Sequence, residues 1–214
     1  MNSTLTSNTI GRILIAIGTI AMLGLVFLII FFVGYFNDIP SILFFGPLND
    51  VFGALEAFLT AILAVFVLVL QGKRWLWLNS IGMALTWIGA FIVTLDSLMA
   101  GGLISTTSAS ILRIKYGFPS LLTTHDLHFG FGLIGLWLLI LNVQALKAKA
   151  WPMYLTGLGF VIGIIMIFGL AGNSPLGFVI LYPVWCIWLG RWLLQNKGMS
   201  PNAEQQKELT NGIF

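Results

Sequence analysis

The sequence predicts an all-α integral membrane protein, a bundle of six transmembrane helices, on three observations. Apolar runs near the roughly 20 residues that a helix needs to cross a bilayer recur at 13–36, 51–70, 75–95, 127–146, 153–170 and 176–194. Hydrophobic residues make up 58% of the 214-residue chain and charged ones only 8%, against about 25% charged in an ordinary soluble domain. Lys and Arg gather at alternate breaks between the runs, which gives an orientation. Arg12, Lys73, Arg74, Lys147, Lys149, Arg191, Lys197 and Lys207 fall on one side of six alternating helices, and the positive-inside rule makes that side cytoplasmic, with both termini inside. Arg113 and Lys115 oppose this weakly. The expectation is one transmembrane domain over 1–196, a polar tail over 197–214, and a multi-pass place in the cell inner (cytoplasmic) membrane. The partner this implies is the lipid bilayer. Nothing in the charge pattern addresses a nucleic acid.

The first run outlasts the ~7–15 apolar residues of a signal peptide, and Gly34-Tyr35-Phe36 offers no small-x-small cleavage pattern, so it is read as a retained helix. Asn37-Asp38 and Asn49-Asp50 are read as its outer connection to the second run. In the second run Gly53, Glu56 and Thr60 share one face at steps of three and four, and in the third Gly82, Thr86, Gly89, Val93 and Asp96 do the same. The segment from about 100 to 124 is too long for a simple turn and reads as a surface connection or a lid. The fourth run carries the stripe His125, His128, Gly132, Gly135, Leu139 and Asn142. Gly157, Gly159 and Gly163 give the fifth run small-xxx-small spacing, which favours close packing inside the bundle or against a homo-oligomer or membrane-complex partner. The sixth run holds Pro183, expected to free one backbone hydrogen bond, and the lone Cys186. Trp75, Trp77, Trp151, Trp188 and Trp192 lie at the ends assigned to the cytoplasm, as interfacial anchors do. Asp50 and Asp126, Lys73 and Lys149, and Trp75 and Trp151 are separated by one common interval. That fits either a parallel duplication of a two-helix hairpin or the ordinary likeness of hairpins with basic turns.

A charge near the centre of a membrane helix costs roughly 2.5–3.5 kcal/mol on insertion scales, so each one needs a reason. Glu56, Asp96, His125 and His128, with Thr60, are expected to meet in one outward-opening polar pocket. Three readings compete for it. Buried polar residues can act as interhelical glue, the role of a structural or accessory subunit of a membrane complex. The same groups can line a vestibule that binds or transports a cation, a proton or a small polar molecule. His125 and His128, three residues apart on one helix face, with Glu56 or Asp96, can form a metal site, zinc above all, and so a metal-dependent membrane hydrolase. The His-Glu-x-x-His, Gly-x-Ser-x-Gly and phosphate-loop patterns are missing from the sequence, so no catalytic residue is assigned and a non-enzymatic role is favoured. A single His128 is a weak signal for a haem or chlorin, and the cofactor is unknown on sequence alone.

Overall fold

In the computed structural model of the chain, residues 3–71, 76–100, 103, 126–171 and 176–196 are described. Among them secondary structure is entirely helical: α1 Ser3–Phe36, α2 Phe45–Gln71, α3 Leu76–Ala100, α4 Asp126–Ala148, α5 Met153–Ile167 and α6 Leu176–Gln195, with short 3-10 turns at Pro40–Ile42 and Phe168–Ala171. Lipid explains this choice. With no water to satisfy exposed backbone groups, a helix that closes its own hydrogen bonds is the natural spanning unit. Four stretches, Ser7–Phe36, Pro40–Leu68, Leu76–Ala100 and Phe129–Ala148, are long and apolar enough to cross a membrane, and the protein is a helical, multi-pass membrane protein. Lys73, Arg74, Trp75, the 104–125 segment and the tail beyond 196 lie outside the described residues.

Each helix packs on its neighbour in sequence, and α6 returns to pack along α1, so the six close into a ring. Short connections force antiparallel neighbours at α1–α2, α2–α3, α4–α5 and α5–α6. Side-chain register shows the same for the two long-range seams. Gly89 meets Gly130 and Gly82 meets Trp137 and Ile140 between α3 and α4, while Gly11 meets Gly190 and Gly18 meets Pro183 between α1 and α6. One end of the ring therefore gathers the N-terminal part of α1, the turn between α4 and α5, and the last turns of α6. Arg12, Lys147, Lys149 and Arg191 are all exposed there.

Three seams are held at backbone distance by glycine. A Cβ on Gly89 would stand 2.5 Å from the Gly130 carbonyl oxygen, and one on Gly130 would stand 2.8 Å from that of Gly89. Gly135 and Gly163 oppose each other in the same way between α4 and α5, at 2.9 and 3.2 Å, as do Gly11 and Gly190, at 3.0 and 2.7 Å. On α3 the stripe turns inward over Gly82, Thr86, Gly89 and Val93, which are buried, and Asp96 is partly buried. Gly157 is the exception, with nothing within 4 Å of a Cβ placed on it. The α1–α2 seam is aromatic instead: the Phe27 ring lies 5.5 Å from Phe45 and 5.1 Å from Phe52.

One element differs from the sequence expectation. Asn49 and Asp50 belong to α2 and not to the connection, because Pro47 lies in the first turn, where its missing N–H is no loss. The connection is shortened to 37–44, and α1 ends in a left-handed residue, Asp38 (φ 52°), with the Ile39 N–H donating to the Gly34 carbonyl at 2.9 Å. Pro183 does not interrupt α6, which runs unbroken through it. Of the interfacial tryptophans described, Trp77 and Trp188 are exposed, whereas Trp151 and Trp192 pack partly onto the core.

Glycine contact sets a sharp contrast between positions. Gly89→Val should lower stability by about 1–3 kcal/mol through overpacking of the α3–α4 seam, whereas Gly157→Ala should be neutral or stabilising by up to about 1 kcal/mol from helix propensity. Thermal unfolding of the two variants in one detergent checks this, and equal melting temperatures would contradict it.

Candidate functional site

Glu56 sits close to the middle of α2, about three turns from the first residue, Phe45. Its side chain is only partly exposed, and among the described residues the carboxylate has no hydrogen-bond or ion-pair partner. One turn on, Thr60 is buried at 1% exposure. Its hydroxyl donates to the Glu56 carbonyl oxygen at 2.9 Å.

Opposite Thr60 stands a residue that sequence reasoning passed over. Tyr182 of α6 is 2% exposed, and its hydroxyl lies 3.1 Å from Thr60 Oγ1. Either hydroxyl can donate in this pair, and with the Thr60 proton on the Glu56 carbonyl the donor is Tyr182. The outcome is a chain from Tyr182 to Thr60 to the backbone of Glu56 inside the bundle, with the buried Cys186 one turn beyond Tyr182 on α6. The Glu56 side chain lies within Coulombic range of both Tyr182 and Cys186.

The rest of α6 fixes this geometry. Trp185, fully buried, donates its indole N–H to the Leu155 carbonyl of α5 at 2.8 Å. The Tyr182 and Trp185 rings lie 6.3 Å apart and nearly parallel, at 21°. Gly18 of α1 lets the Pro183 carbonyl approach to 2.7 Å from where a Cβ would be. Successive residues of one helix turn therefore bind α2, α1 and α5.

Of the residues expected to form one pocket, Glu56 and Thr60 are brought together, with Tyr182 and Cys186 beside them. Asp96 lies one turn beyond Val93, on the α3 stripe that faces α4; Val93 itself packs on Gly130. Its side chain is partly buried and has an interaction of its own. The opposite face of α3 turns to α2, where Thr94 Oγ1 donates to the Ala54 carbonyl at 3.4 Å. His125 lies outside the described residues, and of His128 only the backbone, in the first turn of α4, is described. The expected metal pair therefore falls outside the described side chains. Among the described residues no three His, Cys, Asp or Glu side chains cluster as metal ligands. Comparison of the chain with protein-family models, with curated proteins and with solved structures finds no match.

A hydroxyl pair inside a membrane bundle is worth about 0.6 kcal/mol on average, with a ceiling near 1.7. Thr60→Ala and Tyr182→Phe should each destabilise the protein, and a double-mutant cycle should return a coupling of about 0.6–1.7 kcal/mol. Additive losses in denaturant unfolding would show that the two hydroxyls do not interact.

Proposed function

We propose that the chain is a six-span protein of the cytoplasmic (inner) membrane, with both termini cytoplasmic, that binds or moves a small cation or polar solute through an outward-facing polar pocket built on Glu56. Thr60 and Tyr182 wall the pocket, and Asp96, His125 and His128 complete it toward the outer surface. The observation that carries this reading is a carboxylate at the middle of a membrane helix, one turn from the buried Thr60–Tyr182 hydroxyl pair, with no cationic partner among the described residues. A carboxylate kept only as glue would be expected to hold a basic or donor group. One left open toward other oxygen atoms suits a hard cation or a proton, which brings its own positive charge.

Helix lengths support six crossings. Beyond the four long apolar helices, α5 with the 3-10 turn that extends it spans about 30 Å, and the 20 residues of α6 span about 30 Å as well, which is the thickness of the hydrocarbon core. Exposed Arg12, Lys147, Lys149 and Arg191 share one end, in keeping with a cytoplasmic face. Ala148→Cys, placed in a chain with Cys186→Ala, should react with a membrane-impermeant maleimide only after the cytoplasmic membrane is permeabilised. Ser41→Cys should react in intact spheroplasts. The reverse pattern would invert the orientation of the pocket.

Function is tested by flux. In proteoliposomes carrying an imposed membrane potential, read with an internal pH dye and with radioactive sodium as probes, Glu56→Gln should lower the rate at least tenfold while the helical circular dichroism spectrum stays unchanged. Equal flux in the wild type and in Glu56→Gln, or none above empty vesicles in either, would overturn the transport reading and leave the accessory-subunit role as its successor.

A further inference from the structure

Two arginines stand side by side at the basic end of the α1–α6 seam, away from Glu56. The helices run antiparallel there, with Gly11 and Gly190 each set against the other's carbonyl oxygen. Each further residue of a helix turns by about 100°, so in an antiparallel pair the residues that follow the two contact points turn to the same side of the seam. Those residues are Arg12 and Arg191. Ile10 and Leu189, which precede the contact points, turn to the opposite side and are buried in the core, at 3% and 2% exposure. Arg12 and Arg191 therefore share the outer, lipid-facing side, and both are exposed. Their Cα atoms stand about 8–10 Å apart, one interhelical spacing, which lets the two guanidinium groups converge on one anion. Trp188, exposed three residues before Arg191, puts this pair near the headgroup level, where indoles gather. Toward the bilayer centre on the same side, Leu23 and Ile180 are exposed as well.

No carboxylate among the described residues answers these two charges. Asp38, Asp50, Asp96 and Asp126 lie toward the opposite end of the ring and Glu56 near the middle of α2. Neither arginine has a hydrogen bond or an ion pair among the described residues. We infer that Arg12 and Arg191 form a binding site for the headgroup of an anionic phospholipid, their guanidinium groups holding its phosphate oxygens and its acyl chains lying along the outer side of the seam. The planar fork of a guanidinium matches the oxygens of a phosphate two at a time, and basic sites between transmembrane helices are suited to such headgroups. A zwitterionic lipid would bring an ammonium group beside two cations, with no described carboxylate to receive it. Orientation in the membrane calls for basic residues at this end but not for their pairing across one seam. The leaflet is the inner one under the orientation proposed above, while the site itself depends neither on that orientation nor on the Glu56 pocket.

The test is native mass spectrometry of the full chain in detergent, titrated with phosphatidylglycerol or with phosphatidylcholine of the same acyl chains. The wild type should bind its first phosphatidylglycerol at least tenfold more tightly than its first phosphatidylcholine. Arg12→Gln and Arg191→Gln should each cut that preference at least threefold, and the double variant should bring the two lipids within twofold of each other, with the helical circular dichroism spectrum unchanged. If the double variant does not fold, the two single variants carry the comparison. Lys149→Gln removes an exposed charge at the same end of the ring but away from this seam, and should leave the preference within twofold of the wild type. An equal loss in Lys149→Gln and in the arginine variants would show diffuse surface charge and overturn the site, as would equal binding of the two lipids by the wild type. Displacement of the bound phosphatidylglycerol by millimolar inorganic phosphate would overturn the lipid as its occupant.

Discussion

Contact between helix backbones at glycine is the constraint on which the rest of this structure depends. Lipid is as apolar as a leucine side chain, so burying leucine between two membrane helices gains little, and association rests on close packing and on interhelical hydrogen bonds. Gly11 with Gly190, Gly89 with Gly130 and Gly135 with Gly163 bring three pairs of helices to the distance at which backbone touches backbone. Those contacts set the register of α1 on α6, α3 on α4 and α4 on α5. Register in turn decides which polar side chains face each other. Arg12 and Arg191 share one side of their seam because Gly11 meets Gly190, and Tyr182 reaches Thr60 because α1 and α5 hold α6 in place.

Polar groups in the interior fall into two kinds. The Tyr182–Thr60 pair ends on a backbone carbonyl and satisfies itself, so it stiffens the crossing of α6 over α2 without asking for a ligand. Glu56 is unlike it. It carries hydrogen-bonding capacity that the described protein does not use, which in a low-dielectric interior is costly to leave empty. Structural rigidity and unused capacity lie one helix turn apart at Thr60 and Glu56. A rigid wall beside an open group is what a site needs if it is to recognise something small without losing energy to rearrangement.

Much of the fold was legible because its signals are strong ones. Long apolar runs, stripes of small residues at helical spacing and basic residues at alternate breaks led to the helices and to the inward faces of α3 and α4. The start of α2 was missed because Asn49-Asp50 next to Pro47 looks like a turn, while a proline in the first helical turn is compatible with helix. Glu56 and Thr60 stood out through charge and spacing. Tyr182 did not, since a tyrosine inside an aromatic-rich apolar run is indistinguishable from phenylalanine until its hydroxyl has a partner 122 residues away in the chain. Its one available signal was a phenol placed well inside a span and directly before Pro183, away from the interfacial level that tyrosine prefers.

The seam between α1 and α6 carries a consequence for how the protein is made. Gly11 and Gly190 touch, yet they lie 179 positions apart in the sequence. At roughly 5–20 residues per second, synthesis alone keeps them apart for about 10–40 s. During that interval the first helix is already in the bilayer with its narrow glycine groove turned to lipid, and the groove fits a helix that has not yet left the ribosome. The ring can close only after the last helix arrives. Until then the α1 groove stays without the helix that is shaped to cover it.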